Sequence, residues 1–383
     1  MFNIWLKWAK SNLLNIIKKK YSNTTWCYFD FQALSIPCFF KKYYINNKLI
    51  KLNGYKIIIK NNYIYSTILP LSINLINNNY CQLIIKIKEF YDQYFDYQYQ
   101  NLQNYSNNSN IVYIEINSYI KKALKLYMIN SVNSNFILLI KVKNNISLCI
   151  EELFMNKCVC YINYINKIQI SSNCKLIHIK KNNRFYKNRI IYSSFIEIMK
   201  KSIYLKFSIN INCLFLKELI KCILKQIQSK SFLYNINYIS NNNYYCNVLD
   251  TFHKSNNTFN KQKIFSIINH KSIFNFLGKI YIPKNIKTII SNQFNKNIFY
   301  KLEGKVFTIP ELRIYSDDIL CCHGAIISKI SKENLYYMKS KGICKKNTEK
   351  IIILGFIYNI LNNLKLPLKI KKKLLYYIFF SIN

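Results

Sequence analysis

The chain has 383 residues with a formal net charge of +40, and at 51% apolar and 16% aromatic it can bury a sizeable core, which excludes a disordered polyelectrolyte. The charge alone does not indicate a nucleic-acid binder. Only Arg184, Arg189 and Arg313 are arginines among 56 basic residues, and the planar guanidinium fork is what phosphate and base-edge recognition favours.

The abundant Lys, Asn, Ile, Tyr and Phe share A- and T-rich codons, so the scattered lysines read as a codon-biased, solvated surface. Thirteen cysteines, an odd number without one CxxC pair, argue against a secreted disulfide framework and for free thiols in a reducing compartment.

The first 23 residues, MFNIWLKWAKSNLLNIIKKKYSN, are basic and amphipathic. They read as an ordinary N-terminal helix rather than an import peptide, since serine and arginine are not enriched. Mixed short runs such as YKIIIK (55–60) and QLIIKIKEF (82–90) follow, and YDQYFDYQYQNLQNYSNNSN (91–110) reads as a linker or surface loop. Residues 1–110 are thus expected to form a variable N-terminal region of mixed helix and strand.

From 111 the pattern becomes uniform. IVYIEI, FILLIKV, ISLCIE, CVCYINY, NKIQI, CKLIHIK, IIYSSFIEI and SIYLKFSI are short runs rich in β-branched and aromatic residues, separated by a few polar residues. They predict an all-β body over 111–330. A sandwich and a parallel β-helix both fit, and the scarcity of Asn-Gly and Gly-Gly hairpin turns favours coils that keep winding one way. FLKELIKCILKQIQSK (215–230) has helical spacing and reads either as an interruption or as two strands.

After 330 the period changes to 3.6, defining a C-terminal helical module over 331–383. Ser331 caps a helix with Glu333 in its first turn and Gly342 just past its end. Asn347 or Thr348 opens a second helix whose Ile353, Ile357, Ile360, Leu361 and Leu364 share a face, and Pro367 starts a third carrying Leu374, Leu375, Ile378 and Phe379. The apolar run IIILGFIYNIL (351–361) is too short for a membrane span, which takes about 20 residues, and no membrane association is expected.

The reactive residues gather in SDDILCCHGAIISKISKENLYYMKSKGI (316–343). If 319–324 is a strand, Cys321 and His323 project from one face, with their Cα atoms about 7 Å apart, while Cys322 points the other way. A thiolate and an imidazole suit iron or zinc, but two donors do not complete a site. Cys322 is expected to be a buried small hydrophobe, and Asp317 and Asp318 to serve a turn or cap. His253 and His270 read as surface or core histidines, and Cys158-x-Cys160 as packing residues. No Gly-rich phosphate loop occurs, so any ATP hydrolysis must come from a partner.

Residues 276–343 resemble the C-terminal core of the SufB/SufD family of iron–sulfur cluster assembly proteins. The resemblance runs through Phe276-x-Gly278-Lys279-Ile280, Gln293-x-Asn295, Pro310-Glu311-Leu312, Asp317-Asp318-x-x-Cys321-x-His323-Gly324-Ala325, Leu335-Tyr336-Tyr337 and Ser340-x-Gly342-Ile343. Asp250 and His253 fall where the family carries an Asp and a His. The resemblance implies a right-handed parallel β-helix and a non-catalytic scaffold that pairs with a SufB-like subunit. It also implies a C-terminal segment that docks a SufC-like ATPase, and Cys321 and His323 as ligands for transient iron or a nascent Fe–S cluster at the interface. SufB-like members carry Glu after the His and a cysteine some 25 to 30 residues before it. Gly324 and the lack of any cysteine between Cys246 and Cys321 point instead to SufD. The expected compartment is the cytoplasm or a plastid or apicoplast stroma. Two other readings fit parts of the sequence: an RNA-binding protein of an organellar ribosome, motivated by the charge, and a diverged SufB.

Overall fold

The structure is a computed structural model. It describes residues 55–77 and 110–362 except 61–62, 71, 121, 131–132, 156–159, 183–187, 212 and 301–302, and after 362 residues 368, 371, 372 and 374–376. The expected N-terminal helix, the run 82–90 and the linker 91–109 lie outside the described residues.

Before residue 110 come β1 (Lys56–Lys60), β2 (Tyr63–Ile68) and β3 (Ile73–Asn77). Then follow β4 (Asn110–Ile116), β5 (Leu124–Ile129), β6 (Ser134–Val142), β7 (Ser147–Phe154), β8 (Tyr161–Ile170), β9 (Lys175–Asn182), β10 (Arg189–Ile198) and β11 (Ile203–Ile211). The series continues with β12 (Phe215–Leu224), β13 (Lys230–Ile239), β14 (Tyr244–His253), β15 (Phe259–Ile268), β16 (Ile273–Ile282), β17 (Ile289–Phe299), β18 (Lys305–Ile314) and β19 (Ile319–Lys329).

From β4 onward, even-numbered strands stack in one sheet and odd-numbered strands in the other, each parallel to the strand of the next coil. The result is a parallel β-solenoid of about seven turns, as the strand series and the lack of hairpin signals predict. At the N-terminal end β1 joins β5 in parallel and folds back on β2, while β3 pairs antiparallel with β4. Strands of the 1–110 region are therefore continuous with the solenoid sheets.

One corner of each coil needs a residue with positive φ, and Asn145, Asn173, Lys201, Gln228, Asn257 and Thr288 supply it at 54–61°. Asparagine tolerates this left-handed conformation better than most residues, which lets the coil turn in a chain with only six glycines. The corners also bond to one another. Asn173 Nδ2 donates to Asn145 Oδ1 at 3.1 Å across one 28-residue coil.

The segment 215–230 is β12, a turn and the first residue of β13, not a helix. Its helical period came from Glu218 and Lys221, charges that a surface helix would expose but that are buried here. Several lysines expected in a solvated surface are likewise buried, among them Lys56, Lys180, Lys206 and Lys217.

Inside the solenoid, Glu152, His178, Lys180, Lys206 and Glu218 are all fully buried. Glu218 Oε1 accepts from Lys180 Nζ at 3.0 Å, with Lys206 Nζ at 3.1 Å. Its Oε2 accepts from Asn210, Asn235 and Asn247 at 3.2, 3.0 and 3.1 Å. Glu152 Oε1 lies 3.3 Å from His178 Nε2, whose Nδ1 is 2.9 Å from the Tyr204 hydroxyl. Lys180 and Lys206 also sit over the Tyr192 ring, 3.8 and 4.4 Å from its centroid. Buried ions survive only when paired and hydrogen-bonded, and a one-residue slip of any coil would separate these partners.

Two helices follow the solenoid, α1 (Lys332–Ser340) and α2 (Lys345–Asn362), and beyond them the described residues 368, 371, 372 and 374–376 are helical, where the third helix is expected. Ser331 caps α1, accepting from Asn334 N at 3.3 Å, and Gly342 follows its end at φ 82°. α2 starts at Lys345, ahead of the expected Asn347 or Thr348. The Thr348 hydroxyl bonds back to the Cys344 carbonyl at 3.1 Å and does not cap the helix. Pro367, Ile378 and Phe379 lie outside the described residues, although Leu374 is buried. Ile353, Ile357, Ile360, Leu361 and Leu374 pack on Leu205, Phe207, Ile209, Tyr234 and Phe265 of the odd-numbered sheet's outer face. Burial of each aliphatic side chain contributes roughly 1.5–3 kcal/mol, which anchors α2 to the solenoid. Among the described residues, no helix is long and apolar enough to cross a membrane.

Candidate metal centre

β18 and β19 form the last coil and are the edge strands of their sheets. β19 runs in register on β17: Cys321 lies over Ser291, His323 over Gln293, Ala325 over Asn295 and Ile327 over Asn297. Since Ser291, Gln293, Asn295 and Asn297 are buried, in-register stacking places Cys321 and His323 on the same inward face. His323 is nevertheless exposed and Cys321 half-buried, because among the described residues no further coil covers them. The pair expected from spacing thus sits at the open mouth of the solenoid.

Cys321 packs beside Ile280, Ile282, Ile286 and Ile289. Burial pushes its thiol up to about 11, with the backbone N–H of Ser291 pulling the other way. The thiol is protonated near neutral pH, and a metal ion must displace that proton to bind. Cys322 faces outward and is exposed, its Sγ donating to Asn292 Oδ1 at 3.0 Å. The expectation of a buried Cys322 is therefore wrong: it stands exposed on the outer side of an edge strand. Asp318 holds a turn as expected, accepting from the Thr288 backbone N–H at 3.0 Å.

Two sequence motifs meet beneath the mouth. Gly278 faces inward, where a Cβ would come within 2.1 Å of Gln293 Nε2. The glycine of Phe276-x-Gly278 is thus what admits the glutamine of Gln293-x-Asn295. Gly324 points outward against Phe294, where a Cβ would lie 3.2 Å from the ring.

The remaining candidates lie elsewhere. His253 is buried in β14, with Nδ1 2.7 Å from Thr258 Oγ1. His270 occupies a corner at φ 53°. Cys160 is buried, with Sγ 3.6 Å from Asn188 Oδ1, and Cys158 lies outside the described residues. Among the described residues, no group of three or more His, Cys, Asp and Glu side chains could hold a metal ion. Sequence reasoning missed His178 and the interior charges. Their signal was a lone charge at an inward position of an apolar run.

The chain is thus a parallel β-solenoid that carries a thiol and an imidazole on the last described coil. Residues 130–356 match the family model described as SUF system FeS cluster assembly, SufBD core domain, and the chain belongs to the SufBD family. It is 22% identical over 277 residues to an iron–sulfur cluster assembly SufBD family protein of Synechocystis, covering 67% of this chain and 60% of that protein. It is 31% identical over 91 residues to the iron–sulfur cluster assembly protein SufD of Escherichia coli, covering 24% and 22%. A SufBD family protein of Staphylococcus haemolyticus is 30% identical over 105 residues, covering 27% and 23%. The chain thus spans less than two thirds of the length of these relatives. Family membership sets aside the ribosomal reading.

Proposed function

We propose that the chain is a SufD-like, non-catalytic scaffold subunit of the SUF iron–sulfur assembly complex, acting in the cytoplasm or a plastid-type stroma. It pairs with a SufB-like subunit through the free edges of β18 and β19. Cys321 and His323 then face a shared site where iron enters or a nascent cluster is built. The observation that carries this reading is that Cys321 and His323 sit on the last described coil, whose strands β18 and β19 are the edges of the two sheets. Phe307, Ile309, Leu320 and Ile326 are exposed there, and such an edge calls for a covering chain. Gly324, the missing cysteine between 246 and 321, and the SufD of E. coli among the relatives support SufD over SufB.

A SufC-like ATPase would dock on α1. Within the C-terminal segment, the Ile353/Ile357/Ile360 stripe is buried on the chain's own sheet, whereas α1 buries no residue and exposes Tyr336 and Tyr337. Co-purification with SufB-like and SufC-like chains, followed by iron and sulfide analysis, tests the reading. His323→Ala is expected to leave the three chains together and deplete both iron and sulfide. A normal yield in that variant refutes the metal role.

A further inference from the structure

Beneath His323 the solenoid holds an acceptor with nothing to accept. Gln293 is 2% exposed and lies next to His323 in register. Its Nε2 donates to Gln262 Oε1 at 2.8 Å, and Gln262 Nε2 in turn donates to Thr251 Oγ1 at 2.7 Å. This relay turns the nitrogen edge of the Gln293 amide toward the coil below. Its Oε1 has no partner among the described residues, and leaving a buried acceptor unmatched costs about 1–3 kcal/mol.

Asn295 Nδ2, Asn297 Oδ1 and, from the opposite sheet, Thr308 Oγ1 are also unmatched. Asn295 and Asn297 lie under Ala325 and Ile327, which offer a ligand nothing to bind. Of these residues, Gln293 is the one that stands next to His323 in register. Adjacent strands are about 4.8 Å apart, so an ion about 2.1 Å from a His323 ring nitrogen is within reach of a carboxamide oxygen one strand away. A carboxamide oxygen only accepts, so it suits a cation rather than an anion.

We propose that Gln293 Oε1 is a third ligand, with Cys321 Sγ and a His323 ring nitrogen, for a divalent first-row metal ion carried as cargo. The proposal rests on the reading that Cys321 and His323 bind metal, and adds to it a donor from this chain. A neutral oxygen ligand is weaker than a thiolate or carboxylate, which fits an ion that must be passed on.

Anaerobic titration of the full chain with Co2+, read by its thiolate charge-transfer and d–d absorption, tests this independently of cluster assembly. Gln293→Leu removes the oxygen and is expected to weaken Co2+ binding by about tenfold or more and shift the d–d bands. Gln293→Glu is expected to tighten binding, and it decides the matter if the leucine variant does not fold. If His323→Ala abolishes binding but both Gln293 variants bind as the wild type does, Gln293 is not a ligand and the two-donor reading stands. If His323→Ala binds Co2+ unchanged, the Cys321–His323 reading fails and the third ligand fails with it.

Discussion

Replacing Glu218 with Gln keeps the shape of the side chain but leaves Lys180 and Lys206 with Glu152 as the remaining carboxylate of the interior cluster. Removing one partner of a buried ion pair costs about 3–5 kcal/mol, and the structure gives that cost a pH signature. Burial depresses Lys206 to about 8, although Glu218 pulls it upward. Without Glu218 that upward pull is gone and Lys206 can escape by losing its proton, which lowers stability by about 1.4 kcal/mol for each unit by which the pH lies below the ordinary lysine value. From pH 7 to 8 the variant then binds fewer protons folded than unfolded and gains about 1.4 kcal/mol, while the wild type gains little. Above pH 8 both gain alike. Urea unfolding of the full chain at pH 7.0 and 8.5 should therefore show a loss of about 3–5 kcal/mol that is roughly 1.4 kcal/mol smaller at the higher pH. Adding Lys206→Met should recover part of it. A loss under about 1 kcal/mol at pH 7, or one that does not change with pH, would refute the claim that the interior charges are paired as described.

Acid stability should depend on His253, which burial lowers to about 3. The unfolded chain takes up this proton below about 6.5 and the folded chain does not, so stability is lost as pH falls through that interval, by about 1.4 kcal/mol per unit. Glu218 is raised by burial but held well below the usual carboxylate range by Lys180 and Lys206, and it adds loss at lower pH. Denaturant midpoints measured from pH 7 to 4 should fall less steeply in His253→Asn. At the mouth, Gly278→Ala forces a Cβ against the Gln293 amide and should cost about 1–3 kcal/mol. Gln293→Ala in the same chain should relieve the part due to the amide and leave the part due to the Phe276 ring, 2.6 Å from that Cβ, as thermal unfolding of the single and double variants can show.

Much of this arrangement was legible in the residues. Runs such as FILLIKV and SIYLKFSI read as strands because β-branched side chains suit a pleated, doubly covered surface, and Ser331 and Gly342 marked the ends of α1 because caps are local chemistry. The pairing of Cys321 with His323 followed from the two-residue period of a strand. What misled was charge. Glu218 and Lys221 imitated one polar side of a helix, because a sequence does not record which charges will meet a partner 38 residues away, as Lys180 and Glu218 do.

Strand periodicity, helix caps and the facing of neighbouring side chains were thus determined by the sequence alone, since each depends on contacts within a few residues. Tertiary structure decided the rest. Winding in register brought Gln293 beneath His323 and Gly278 against Gln293, and the apolar stripe of α2 turned onto the chain's own sheet. Ending the stack at β19 left Cys321 and His323 at an open mouth. These outcomes depend on the 26- to 32-residue steps between coils, and no local pattern specifies which residues such steps bring together.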